Sequence, residues 1–286
     1  MSSASPEFQA RIARLFAYPV KSCAGVELTE AVLTETGLDL DRAWMVVDAK
    51  GQGVTQRELP RLALVRTQIK HHEVVLRAPG MLALHLSIDA VEEPVRVRVW
   101  DDEVPAYDMG AVAAQWFSDF LGVALRLVRF DPEHRRLSSL QWTGGVEALN
   151  QFSDGFPLLV LSEESLAGLN TRLAAAGRAA VGIERFRPNL VLAGIEAHDE
   201  DRIAELHIAA TQPVWLQLVK PCPRCPIPNI DPATADTDPV VIDTLQAYRH
   251  DPRLEGAITF GMNAIVREGE DQVLRVGQAV TGRWHF

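Results

Sequence analysis

The sequence predicts an α+β fold, rich in strands and divided into two domains, residues 10–130 and 131–286. Short β-like runs broken by turn residues fill the first half, and apolar strands and helices mix in the second. Between them Asp131–Ser139 is polar and basic, has turn residues and no apolar period, and reads as the joint.

In the first domain the strand-like runs are Arg11–Tyr18, Ala43–Val47, Glu73–Arg77 and Val95–Val99. The last alternates Val95, Val97 and Val99 with Arg96 and Arg98, the period of a strand with one wet face, and an all-β half of barrel type follows. One helix interrupts it. Val112, Trp116, Phe117, Phe120 and Leu121 recur at helical spacing, with Asp108 as cap and Gly122 as stop. In the second domain Pro157–Leu161 reads as a buried strand. Ser162 caps a helix with the stripe Leu166, Leu169 and Leu173, and Glu163 and Glu164 suit its positive end. Asn189–Ala193 and Val214–Val219 are further strands. Asp238 and Pro239 open a helix carrying Leu245 and Tyr248.

With 28 Lys+Arg against 38 Asp+Glu the formal charge is −10, so a nucleic-acid partner is not expected, and any basic site must be local. Three cysteines, Cys23, Cys222 and Cys225, are too few for a disulfide scaffold and suit a reducing compartment. Met1–Gln9 is polar and lacks the features of a secretory signal, and no apolar run has the roughly 18 to 20 residues that span a bilayer. The expectation is a cytoplasmic protein with no membrane partner.

Common catalytic signatures are absent: the sequence has no Gly-x-Ser-x-Gly, no phosphate loop, no dinucleotide fingerprint and no His-Glu-x-x-His. Its eight histidines are scattered, and His71, His72 and His85 read as surface residues, which gives a histidine-centred hydrolase no support. The unusual segment is 220–232, with five prolines, expected to be a stiff loop because proline donates no backbone hydrogen bond. Lys220 and Arg224 flank its two thiols, and cations favour the thiolate. Four readings of Cys222-Pro-Arg-Cys225 stand open: a zinc site, a thioredoxin-like dithiol, two structural buried thiols, and a single thiolate holding a soft metal that arrives in its own organic ligand.

Five segments then occur in order: Tyr18-Pro-Val-Lys-Ser22, Gly37-Leu-Asp-Leu-Asp-Arg-Ala-Trp44, Phe186-Arg-Pro-Asn189, Cys222-Pro-Arg-Cys225 and Phe260-Gly-Met-Asn263. Together, over about residues 10 to 281, they resemble the MOSC family, in the form with an N-terminal MOSC β-barrel domain before the MOSC domain proper. The resemblance implies a molybdenum–pyranopterin cofactor between the domains, its metal held by Cys225, with Cys222 a neighbour. It implies cofactor contacts from Lys21, Ser22, Arg42, Arg187 and Asn189, with Asp154 and Arg57 as further members and Asp154 a candidate proton donor. It also implies reduction of small N-hydroxylated substrates (N–O, and S–O compounds as well) by oxygen-atom transfer. Pyridoxal phosphate binding attaches to the family at large, with no residue assigned here. No cysteine follows Cys225, so electrons are expected from a separate flavin or iron–sulfur protein, and a basic donor would suit the acidic surface. The alternative is a cofactor carrier or sulfur-transfer module without turnover.

Overall fold

Seven strands close into a ring in the computed structural model, which describes residues 8–90 and 93–285; most of the Met1–Gln9 stretch and Phe286 lie outside the described residues. The order around the barrel is Leu158–Ser162, Leu190–Ala193, Phe8–Ala17, Ala279–Trp284, Ile203–Ile208, Val214–Pro223 and Ala257–Glu268, the last pairing back onto the first. Inward side chains alternate along each strand, so that Val214, Leu216 and Leu218 meet Ile12, Leu15, Val160, Met262 and Ala264 in one apolar interior. Closure leaves these strands no open edge.

The barrel wall recruits the first strand of the chain. Phe8–Ala17 pairs with Leu190–Ala193 and with Ala279–Trp284, so sheet membership crosses the 130/131 boundary that the sequence suggests. Two helices cover the outside, Glu163–Ala175 and Val240–Gln246, burying Leu169, Leu173, Val241 and Leu245 against Phe16, Val191 and Phe260. Ser162 caps the first as expected, its side chain accepting from the Ser165 N–H at 3.0 Å. At the second helix Asp238 accepts from the Val240 N–H at 3.1 Å, and the helix ends before Tyr248.

Beyond residue 38 the N-terminal residues form a four-stranded antiparallel sheet, Trp44–Asp48, Leu125–Phe130, Asp102–Asp108 and Pro94–Val99, and a three-stranded sheet, Arg66–Ile69, Glu73–Arg77 and Leu84–Ser87. Helix Gly110–Leu121 packs Trp116, Phe117 and Phe120 with Trp44 and Val46 on one face of the larger sheet. Its N-cap is Met109, with Asp108 accepting from the Gly110 N–H at 2.8 Å, and Gly122 stops it at φ 77°. The other face, with Met45, Val47, Val97 and Phe130, is sealed by Phe152 from the second half of the chain, whose ring meets Phe130 edge-on at 5.2 Å. That contact ties the loop after residue 150 to the N-terminal sheet.

Two sequence expectations change. The strand expected to stop at Val219 runs on to Pro223, pairing Pro221 with Met262 and Pro223 with Thr259. Irregular register on either side lets prolines occupy positions where no ladder donor is required. The proline-rich segment then makes a 3-10 turn, Ile227–Asn229, with Pro226 at its start. The stretch taken for a joint is also no free linker. Arg136 is buried, and Leu137 bridges to Leu149.

Candidate functional site

The chain leaves its first barrel strand at Tyr18 and runs straight into the junction between barrel and N-terminal sheet. Asp41 accepts from the Tyr18 N–H at 2.7 Å, the Arg42 N–H donates to the Tyr18 carbonyl at 2.9 Å, and the Lys21 N–H donates to the Trp44 carbonyl at 2.7 Å. Two sequence-distant motifs are thereby fastened side by side. A cleft of about 190 Å³ opens beside them.

On its floor the guanidinium groups of Arg42 and Arg187 each lie 4.3 Å from the Tyr18 ring centroid. Both residues adopt left-handed backbone, at φ 52° and 58°. Arg42 is oriented by Asp41 at 2.5 Å and by the Arg187 carbonyl at 3.1 Å. Arg187 donates one Nη1 bond to the Cys23 carbonyl at 2.7 Å, while its Nη2 is buried without a partner among the described residues. Burial, with the charge of Arg42 added, pushes Arg187 down to about 10. Asn189 is fully buried. Its Oδ1 accepts from the Leu159 N–H at 3.1 Å and from Arg42 at 3.2 Å, and its Nδ2 donates to the Phe16 carbonyl at 3.2 Å. That commits Asn189 to holding Arg42 and two strands in place rather than to presenting a free amide.

Lys21 is buried, with Nζ 2.7 Å from the Phe152 carbonyl and 2.5 Å from Asp154 Oδ1. Burial lowers its pKa while Asp154 opposes the shift. Ser22, at φ 65°, presents its carbonyl to Gln56 Nε2 at 2.6 Å. Arg57 lies 4.8 Å over the exposed Trp100 ring, which also covers Lys21 at 5.6 Å. Burial works to raise the Asp154 carboxyl, but Lys21, with Arg57 and Arg42 behind it, holds it well below the usual carboxylate range. Asp154 is therefore ionised at neutral pH and acts here as an acceptor that orients Lys21; the sequence offers it as a candidate proton donor or as a cofactor contact.

The thiol segment also lines the cleft. Cys222 and Cys225 are half-buried and both line the cleft. Burial pushes the Cys222 thiol up despite Arg224, which keeps it protonated at neutral pH. Arg224 bonds the carbonyls of Phe260 and Phe186, at 2.8 and 2.9 Å, and so anchors the loop more than it activates a thiol.

All eight residues named from sequence, Lys21, Ser22, Arg42, Arg57, Asp154, Arg187, Asn189 and Cys225, line this one cleft. Sequence reasoning misses Thr55, Phe156 and Arg185 as lining residues, and names Lys220 only as a cation beside the thiols. Arg185 stands two residues before Arg187 and is oriented by Asp231 at 2.8 Å, so its proximity to the Arg-Pro-Asn segment was the available signal.

A closed β-barrel with a second, sheet-built domain packed at its mouth, and a cation-lined cleft facing a Cys-x-x-Cys segment at the junction, defines a class of two-domain barrel proteins. Within that class the chain belongs to the MOSC family. It matches the MOSC N-terminal beta barrel domain over residues 9–124 and the MOSC domain over residues 148–281. It is similar to the human mitochondrial amidoxime reducing component 2, 35% identical over 83% of this chain and 72% of that protein. The mouse mitochondrial amidoxime-reducing component 1 is 36% identical over 83% of this chain and 71% of that protein. Bovine molybdenum cofactor sulfurase is 28% identical over 88% of this chain and 30% of that protein. No described helix is long and apolar enough to cross a membrane.

Proposed function

We propose that this cleft holds a molybdenum–pyranopterin cofactor and that the protein reduces N-hydroxylated small molecules. The observation that carries the reading is the buried Nη2 of Arg187, without a partner among the described residues, in a cleft lined also by Lys21, Arg42, Arg57 and Cys225, in a chain of net charge −10. A buried charged donor without an acceptor is costly, and an anionic ligand satisfies it. The residues fit such a group. Arg187, Arg42 and Lys21 would hold its phosphate, and Cys225 Sγ would hold its metal as a soft donor. When bound, the cofactor supplies two-electron redox chemistry at that metal.

The chain's own contribution is orientation and charge. Asp41 and Asn189 fix Arg42, Asp154 fixes Lys21, and Arg224 anchors the segment that carries Cys225. In the overall reaction the N–O bond of an amidoxime or N-hydroxylated base breaks, two electrons and two protons are taken up, and the amidine or base leaves with water. Water entering the open cleft supplies the protons, since Asp154 is held ionised. Electrons come from a flavin or iron–sulfur donor outside these 286 residues, whose three cysteines are fewer than the four of an all-cysteine iron–sulfur cluster.

The test is metal analysis of protein from a molybdenum-replete host, with benzamidoxime reduction driven by a chemical reductant. Bound molybdenum and benzamidine formation are expected, and Cys225→Ala should lose both while Cys222→Ala keeps the metal. Protein without molybdenum overturns the reading. Metal-loaded protein with no turnover favours the carrier alternative, toward which the likeness to a cofactor sulfurase points.

A further inference from the structure

Most cations of the cleft are committed to protein acceptors: Lys21 to Phe152 and Asp154, Arg42 to Asp41, Arg185 to Asp231, Arg224 to two carbonyls. Lys220 is different. Its ammonium makes no hydrogen bond to an oxygen of the described residues and lies instead over two aromatic rings, 5.2 Å from the Trp142 centroid and 5.8 Å from that of Phe156. Ring faces attract a cation without neutralising it.

A backbone irregularity puts Lys220 there. Continuing the alternation of Val214, Leu216 and Leu218 would send it into the barrel interior. The register instead skips Val219, so Leu218 pairs with inward Ala264 but Lys220 pairs with Asn263, which lines the cleft. A one-residue bulge turns the side chain to the other face. Trp142 arrives on the short helix Leu140–Thr143 and Phe156 on the loop before strand Leu158–Ser162, and both rings are half-buried, leaving part of each open. Lys220 stands two residues before Cys222, on the thiol wall rather than among the arginines of the floor.

We propose that Lys220, Trp142 and Phe156 form a subsite for the anionic end of planar aromatic substrates. The substrate ring lies against an aromatic face and a carboxylate remote from the N–O group meets Lys220 Nζ. This rests on the reductase reading of the cleft and narrows its substrate class to N-hydroxylated aromatic compounds that carry a carboxylate.

The experiment titrates purified protein with benzamidoxime and with para-carboxybenzamidoxime, reading tryptophan fluorescence for binding and amidine formation for KM. The wild type should favour the carboxylated compound by about tenfold, the scale of one charge-assisted hydrogen bond at a partly wet site. Lys220→Met should bring that ratio near unity with molybdenum content retained, and Lys220→Arg should keep the preference. Equal affinities in the wild type, or a preference that survives Lys220→Met, overturns the proposal. Loss of molybdenum in Lys220→Met also overturns it, by assigning Lys220 to the cofactor. If neither compound is reduced while the binding preference holds, the reductase reading fails and the subsite stands.

Discussion

Glu200 is fully buried beneath the N-terminus of helix Glu163–Ala175, where Oε2 accepts from Ser162 Oγ at 3.0 Å and Oε1 has no partner among the described residues. Burial, with Asp201 adding to it and the serines opposing, pushes its carboxyl up to about 7 from 4.5. An acid whose pKa is raised on folding holds its proton better in the folded state. Its stabilisation is therefore full below about 4.5 and is lost as pH rises through about 7. Glu200→Gln, which cannot ionise, should unfold at nearly the wild-type midpoint at acid pH and be more stable at pH about 8, by up to roughly 3 kcal/mol. Denaturant titrations at both pH values decide it, and a difference independent of pH would contradict it. Glu200 illustrates what a sequence withholds. Nothing around Glu200 in sequence marks it as buried, because its burial depends on Ser162 and Ser165, 38 and 35 residues away. Lys21, Arg42, Arg187 and Cys225 were named through short segments that resemble the family's, and they line one cleft. Asn189 was named the same way, but its hydrogen bonds to Phe16, Leu159 and Arg42 could not be read from sequence.

At the scale of elements, the strand Ala257–Glu268 both closes the barrel and backs the thiol segment, and it does both through one glycine. Phe260 faces outward onto Phe186 and gives its carbonyl to Arg224, whereas Met262 faces the barrel interior. Gly261 makes the change of face at φ +83°, and a Cβ there would meet the Val160 carbonyl oxygen at 2.8 Å. Gly261→Ala would thus combine a left-handed backbone penalty with a steric push between the two strands that seal the ring. The expected loss is about 2 kcal/mol or more, measured by chemical denaturation. A variant within about 0.5 kcal/mol of wild type, the range of ordinary surface changes, would show that the ring closes without this constraint. Elements with strong local signals, such as the start of the helix capped by Ser162 and the strand Glu73–Arg77, could be read from sequence. The bulge at Val219 and the continuation to Pro223 could not, since a change of register belongs to the pairing with Ala257–Glu268 and leaves no mark on either strand alone.

On the scale of the whole molecule the cleft exists only while the barrel and the N-terminal sheet keep their relative placement, and Arg136 is central to that. It is buried in the stretch that looked like a linker. Its guanidinium bonds Asp102 of the N-terminal sheet at 2.7 and 2.9 Å, and the carbonyls of Gln151 and Ser153 at 2.7 and 2.9 Å, with Asn150 Oδ1 at 2.6 Å. The residues it grips lead directly to Phe152 and Asp154, and through them to Lys21. Arg136→Met would keep most of the volume but leave the Gln151 and Ser153 carbonyls without the guanidinium donor and Asn150 Oδ1 with Ser153 Oγ alone. Asp102 is largely exposed and can turn to water, whereas Ser153 and Asn150 are buried. The expected loss is therefore at the level of a broken buried charged network, about 3 kcal/mol. A second readout separates this from plain destabilisation. At temperatures well below unfolding, Arg136→Met should retain less molybdenum than Leu76→Ala, a truncation of a buried side chain away from the cleft, brought to a similar stability, because Arg136 alone of the two holds the loop that orients Lys21. Equal retention in both variants would mean that the cleft tolerates movement of the 150–154 loop, and that Lys21 holds its place without Asp154.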